Sequence, residues 1–261
     1  MRHGLAAVLL CVLVAGTGCS AIPGTGGNGD GLGSDEAAVA DSVPGVGNGS
    51  LEDPPALLDA HVAAATETGY SQTISANFTE ARDGETFAVS QRQRTGVAAG
   101  AVAYEYQTIT NSRVSSRIWA WGNESVEYRR GESGGGDPQY RRLDAQPPER
   151  LAGRAVLDQR LSTDFEVVDV RERDGAPAVV TLEVGGLPEA NEVFDGQERV
   201  ENLRRFEAQL IVDTEGRVHS YAAAAVYDIE GETADYDYRF QMTGFEDPGV
   251  ERPDWVEEVE G

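Results

Sequence analysis

After Cys19 the chain has only two histidines, His61 and His219, and no cysteine; the other cysteine, Cys11, precedes it. That scarcity bounds the chemistry. Nucleophilic catalysis through serine and histidine needs His61 or His219 as base, and no G-x-S-x-G elbow offers a serine. His61 falls on the apolar side of a helical stretch and reads as a half-buried residue with a backbone partner. His219 follows a hairpin turn and reads as an exposed strand residue. Zinc-type ligation has neither H-E-x-x-H nor a cysteine pair to build on. Asn28-Gly29-Asp30-Gly31 lacks the later ligands of a calcium loop. Asp228, Glu230, Glu232 and Asp235 gather near one turn, but in so acidic a chain such a cluster reads as solvated surface. The same abundance empties the search for a glycosidase carboxylate pair of information. Gly131 to Gly136 lacks the lysine and the strand-to-helix setting of a phosphate loop. No catalytic residue, metal site or cofactor is assigned, and a non-enzyme is expected.

Cys19 carries the one specific piece of chemistry. Arg2 is followed by the apolar run Leu5–Ala15, which is too short for the ~20 residues of a spanning helix but suits a signal-peptide core. Gly16-Thr17-Gly18-Cys19 resembles a lipobox, in which a small residue precedes a cysteine that takes a thioether-linked lipid; Gly16 stands where Leu, Val or Ala is usual. There is no twin arginine, so the general secretory route is expected. Cleavage before Cys19 leaves a mature chain whose lone cysteine has no disulfide partner. Residues 1–18 are therefore read as signal peptide and Cys19 as the lipidation site. The expected location is the outer face of the cytoplasmic membrane.

The formal charge is −24, all 45 Asp and Glu lie after Cys19, and lysine is absent. Molar salt shortens the Debye length to ~3 Å, so dense carboxylates become tolerable there and keep the surface hydrated. The composition reads as that of a salt-adapted protein, with a GC-rich genome as a second source of the arginine bias. With no basic patch apparent, nucleic acid is not expected as a partner.

Residues 19–55, rich in Gly, Asp, Ser and Pro, read as a flexible tether. Sequons stand at Asn48, Asn77 and Asn123. From Ala56 to Pro248 hydrophobic periodicity implies one domain, followed by an acidic tail over 249–261. Leu57, Leu58, His61, Val62 and Ala65 predict a helix after Pro54-Pro55, stopped by Gly69; a second helix is predicted between Pro148 and Leu161. Alternating runs predict strands around Ile74–Phe78, Phe87–Val89, Val102–Tyr106, Val114–Trp121, Val126–Tyr128, Phe165–Asp169 and, after a turn at Asp174-Gly175, Val180–Val184. In the fourth of these runs Val114, Ile118 and Ala120 oppose Arg113, Arg117, Trp119 and Trp121. Three hairpin-linked strands over 206–242 complete a meander. The expected fold is α+β: a long, curved antiparallel sheet, a half-barrel, with about two helices covering its apolar face.

The segments LLDAHVAAATETGYSQTISANFTE and LIVDTEGRVHSYAAAAVYDIEG and the ending RPDWVEE resemble an uncharacterised haloarchaeal lipoprotein family. More remotely, the order of elements resembles the LolA/LppX/LprG-like half-barrel lipoprotein carriers. The resemblance implies a lipid-anchored surface protein that binds or carries a hydrophobic molecule. The alternative is a structural or interaction lipoprotein with a packed core and an envelope protein partner. Ala222–Ala225 bears on the choice, since small inward residues either leave a cavity under the helices or admit close packing.

Overall fold

The computed structural model describes residues 32–82, 84–194 and 200–260; Cys19 and the lipobox lie outside them. From Ser34 the chain forms α1 (Ser34–Ala40), β1 (Val46–Gly47), β2 (Ser50–Leu51) and α2 (Pro54–Thr68). A first meander follows: β3 (Tyr70–Arg82), β4 (Glu85–Val97), β5 (Ala103–Asn111), β6 (Ser116–Asn123), β7 (Val126–Ser133) and β8 (Gln139–Asp144). Two short helices, α3 (Pro148–Leu151) and α4 (Arg154–Arg160), lead into β9 (Phe165–Arg173) and β10 (Ala176–Val184). After α5 (Ala190–Val193) come β11 (Val200–Asp213), β12 (Val218–Ile229) and β13 (Glu232–Gly244), and α6 (Glu257–Glu260) closes the described chain.

All thirteen strands join one antiparallel sheet, in the order β1-β2-β9-β10-β11-β12-β13-β3-β4-β5-β6-β7-β8. The last strand of the second meander, β13, pairs with the first strand of the first, β3. The sheet stays open, with β1 and β8 as its edges. This is the expected half-barrel.

The sequence places α2 on the inner face. The Asp53 carboxylate accepts the Ala56 N–H at 3.0 Å, Pro54 and Pro55 occupy the first turn, and Gly69 at φ 73° ends it. Leu57, Leu58 and Ala65 of α2 then meet the inward residues of the sheet, including Tyr221, Ala223, Tyr238 and Phe240. The predicted second helix is two. Gly153, at φ 79°, breaks it between α3 and α4, and a Cβ there would lie 3.0 Å from the Phe240 ring.

Both ends of the domain reach further than expected. Residues from Ser34 onward, assigned to the tether, fold into α1, β1 and β2, with Ala40, Val43 and Val46 buried in the core. Three apolar side chains suffice because a glycine turn aims them inward. Gly45 sits at φ 82°, and its carbonyl accepts the Glu52 and Asp53 N–H groups at 2.9 and 3.0 Å. A Cβ on Gly45 would come within 2.2 Å of the Asp53 carbonyl oxygen. Gly45→Ala is therefore expected to cost about 3 kcal/mol in urea unfolding, whereas an undocked tether would show no change. At the other end Val256, in the expected tail, is buried against Trp121 and Tyr128. β8, missed in the sequence, has every residue exposed. Val102 and Val114 precede β5 and β6 in exposed turns instead of opening those strands.

Candidate ligand-binding surface

The inner face under the helices is filled. Ala223 and Ala225 point inward and are buried. Aromatic rings occupy the surrounding interior: Phe194 lies 4.8 Å from Tyr227 and 5.4 Å from Tyr236, and Tyr221 lies 5.9 Å from Tyr238. Arg160 of α4 stacks 3.7 Å over Tyr238 and donates to the Tyr236 hydroxyl at 3.2 Å. Burial pushes the Tyr221 and Tyr238 phenols well above their ordinary pKa. The alanines thus admit close packing, the second of the two readings that the sequence left open.

His61 is a structural pin. It is fully buried, where half-burial was expected. Its Nδ1 accepts the Val218 N–H at 3.1 Å, and its Nε2 lies 3.3 Å from the Ala152 carbonyl, which fixes the neutral tautomer with the proton on Nε2. Burial lowers its pKa to about 4. His219 packs edge-on against Phe245 and lies 2.9 Å from the Asp213 carboxylate. Asp213 also accepts the Glu215 and Arg217 N–H groups at 3.0 Å each, so the pair closes the β11–β12 turn. Burial works to raise the Asp213 pKa, but the hydrogen bonds from His219 and the Arg217 backbone outweigh it and hold the carboxyl below its ordinary value.

The acidic cluster divides in the same way. Asp228 accepts from Arg204 Nε at 3.0 Å, Asn202 at 3.3 Å and Thr233 at 3.2 Å, tying β11, β12 and β13 together. Glu232 accepts from Thr86 at 2.6 Å. Among the described residues no three His, Cys, Asp or Glu side chains converge as metal ligands.

Beyond the helices the inner face turns polar. Glu127 of β7 is fully buried there; the Tyr104 and Tyr106 hydroxyls donate to it at 3.1 and 3.2 Å, and Arg129 pairs with it. Burial, with Glu127 alongside, pushes the Tyr106 phenol up to about 12. Gln93 accepts from Thr108 at 3.2 Å in the same layer. A sequence pattern of Gln, Thr and Tyr in strands hides this layer, because its residues resemble those of a wet face.

Two clefts open on the sheet among the described residues. On the outer face of β3–β6 a cleft of about 510 Å³ is bordered by Trp119, Arg94, Gln107 and Glu105 of the sheet and by Pro253 and Trp255 of the C-terminal segment. Register explains the grouping. Thr73, Arg94, Gln107, Trp119 and Arg130 are successive cross-strand partners from β3 to β7. Arg130 lies 5.1 Å over the Trp119 ring. A second cleft of about 520 Å³, near the β12–β13 turn, is lined by Phe78, Val89, Ala234, Asn111 and Asp235 among others. The sequence shows Arg117 and Trp119 sharing one side of a strand, but not that their neighbours on three other strands complete a surface.

No protein-family model matches the chain, and no curated protein does. Among solved structures it is similar to a domain assigned to outer membrane lipoprotein sorting from Vibrio parahaemolyticus, at 9% identity over 77% of this chain and 97% of that one, with a TM-score of 0.28. It is similar to a DUF1329 family protein from Desulfovibrio piger, at 12% identity over 76% and 95%, with a TM-score of 0.27. A LolA superfamily protein from Nitrosomonas europaea matches at 10% identity over 77% and 94%, with a TM-score of 0.21. The description of the fold rests on the sheet's own order and register.

Proposed function

We propose that this chain is a lipid-anchored, extracytoplasmic binding protein without enzymatic activity, held through Cys19 on the outer face of the cytoplasmic membrane of a salt-adapted organism. The observation that supports a binding module most directly is the placement of space: the helix-covered face is filled with aromatic side chains, and the open clefts lie on the sheet surface. His61 is engaged at both ring nitrogens in packing, and His219 is held by Asp213 at the β11–β12 turn. The lipobox-like Gly16-Thr17-Gly18-Cys19 supports the anchor, and a charge of −24 without lysine supports the habitat.

Carriage of a hydrophobic molecule is the second reading. Phe78, Ala88, Val89 and Ala234, the apolar members of the otherwise polar second cleft, favour it. One preparation tests anchor and cargo together. Cys19→Ser is expected to move the protein from the membrane fraction to the medium, and native mass spectrometry of the wild-type chain with lipid extraction is expected to return only the anchor lipid. A membrane-free wild-type chain with an unmodified Cys19 thiol would refute the anchor. A lipid or quinone retained beyond the anchor would favour carriage over surface binding.

A further inference from the structure

The formal charge is distributed unevenly. Between Tyr70 and Asp144, the span of the first meander, nine Arg balance nine Asp and Glu, so the entire net charge of −24 arises elsewhere in the chain. Register concentrates the arginines further. Arg239, Ser75, Arg92, Ile109 and Arg117 are successive cross-strand partners on the outer face, and the adjacent row holds Arg94 and Arg130. Arg130 pairs with Glu132, while Arg92, Arg94, Arg117 and Arg239 form no ion pair among the described residues. Four guanidinium groups without an ion pair on one face, with Glu105 the one carboxylate lining the cleft beside them, make that face locally charge-balanced in a chain with more than two carboxylates per arginine. The even spread of negative charge that the composition suggests does not hold on this face.

We propose that the outer cleft and its arginine rows bind an acidic oligosaccharide, a sugar chain bearing carboxylate or sulfate groups. The proposal rests on the binding-protein reading and gives it a ligand class. Trp119 and Trp255 border a cleft of about 510 Å³ together with the side-chain amide of Gln107 and the hydroxyls of Ser71 and Thr73. An indole face packs against the C–H face of a pyranose ring, and amide and hydroxyl groups match sugar hydroxyls. Arginine forks bind carboxylate and sulfate through paired hydrogen bonds, which survive screening better than point-charge attraction does.

Spacing selects the sugar over a peptide. Arg239, Arg92 and Arg117 recur at every second strand, hence about 10 Å apart, close to the length of an extended disaccharide. An extended acidic peptide shows same-side carboxylates only about 6.7 Å apart, out of step with the arginines. The wall built by the C-terminal segment makes the site concave, which suits a discrete ligand better than a flat bilayer.

The test uses the full mature chain in detergent micelles, in salt at which circular dichroism shows it folded. A sulfated uronate hexasaccharide is titrated while tryptophan fluorescence and calorimetric heat are followed. Maltohexaose, polyglutamate, oligothymidylate and phosphatidylglycerol vesicles are the comparison probes. The acidic hexasaccharide is expected to bind saturably and maltohexaose at least tenfold more weakly. Arg94→Gln with Arg117→Gln, and separately Trp119→Ala, should each weaken binding at least tenfold with the melting temperature unchanged. If Trp119→Ala melts early, Trp119→Phe, which keeps a ring, takes its place and should retain most of the affinity. Affinity indifferent to these substitutions overturns the site. Equal or tighter binding of polyglutamate, oligothymidylate or vesicles overturns the sugar assignment and leaves the binding-protein reading standing. Failure of every probe on the folded protein removes both.

Discussion

Replacing His61 by phenylalanine is expected to destabilise the domain by about 3–5 kcal/mol. The ring volume survives the change and so does the edge-on packing against Phe240, whose centroid lies 6.0 Å from that of His61. What is lost is the partner of the Val218 N–H and of the Ala152 carbonyl, both buried where α2, the break between α3 and α4, and β12 meet. An orphaned buried backbone group costs about 1–3 kcal/mol, and here there are two. The histidine also sets the response to acid. Its folded-state pKa lies near 4, below the ordinary 6.5, so the fold favours the neutral ring. The unfolded chain takes up the proton first as pH falls. The contribution is fully present above pH 6.5, declines between 6.5 and 4, and amounts to about 3 kcal/mol. Urea unfolding in concentrated KCl at pH 7.5 and pH 4.5 checks both statements. The wild type should lose stability between the two, and His61→Phe, weaker at both, should lose less. Equal acid sensitivity in the two proteins would remove His61 as its source.

Dilution from about 2 M to about 0.1 M KCl is expected to unfold the domain. The Debye length grows from a few Å to ~10 Å over that range, and carboxylates held side by side by the sheet begin to repel. Glu166 and Glu183 stand directly opposite each other on β9 and β10, a pairing that weakens a sheet. Loss need not be uniform. The first meander is charge-balanced, so hydrogen exchange at intermediate salt should open β9–β11 before β4–β6. Calorimetry and circular dichroism across the series provide the measurement; a melting temperature unchanged on dilution would dispose of the salt-adapted reading.

What the sequence made legible follows from locality. The β12–β13 turn announces itself in Glu230-Gly231, whose φ values of 51° and 76° are those of a two-residue hairpin. The strands beside it alternate cleanly because one face meets the helices. β8 was invisible because all six of its residues are exposed, so no alternation exists to read. The segment from Ser34 looked like linker because only Ala40, Val43 and Val46 are buried in it, and their burial depends on a backbone turn at Gly45. Gly153 interrupts a pattern that periodicity alone would carry through. The outer surface was hidden for a different reason. Each strand contributes one or two of its residues, and only the register of five strands sets Arg239, Arg92 and Arg117 in a row. The filled interior likewise depends on α5 delivering Phe194 onto Tyr227 and Tyr236.

The seam between β13 and β3 pairs Asp237 with Asn77 and Gly244 with Ser71. These partners are separated by most of the length of the domain, so the two meanders cannot join until β13 has been made. Closing so large a loop is entropically costly and slow relative to hairpin formation. Under the export proposed above, in which the chain crosses the membrane as an unfolded thread, that delay is protective. The local hairpins can form early, but the seam that joins the two meanders into one sheet closes only once β13 is present.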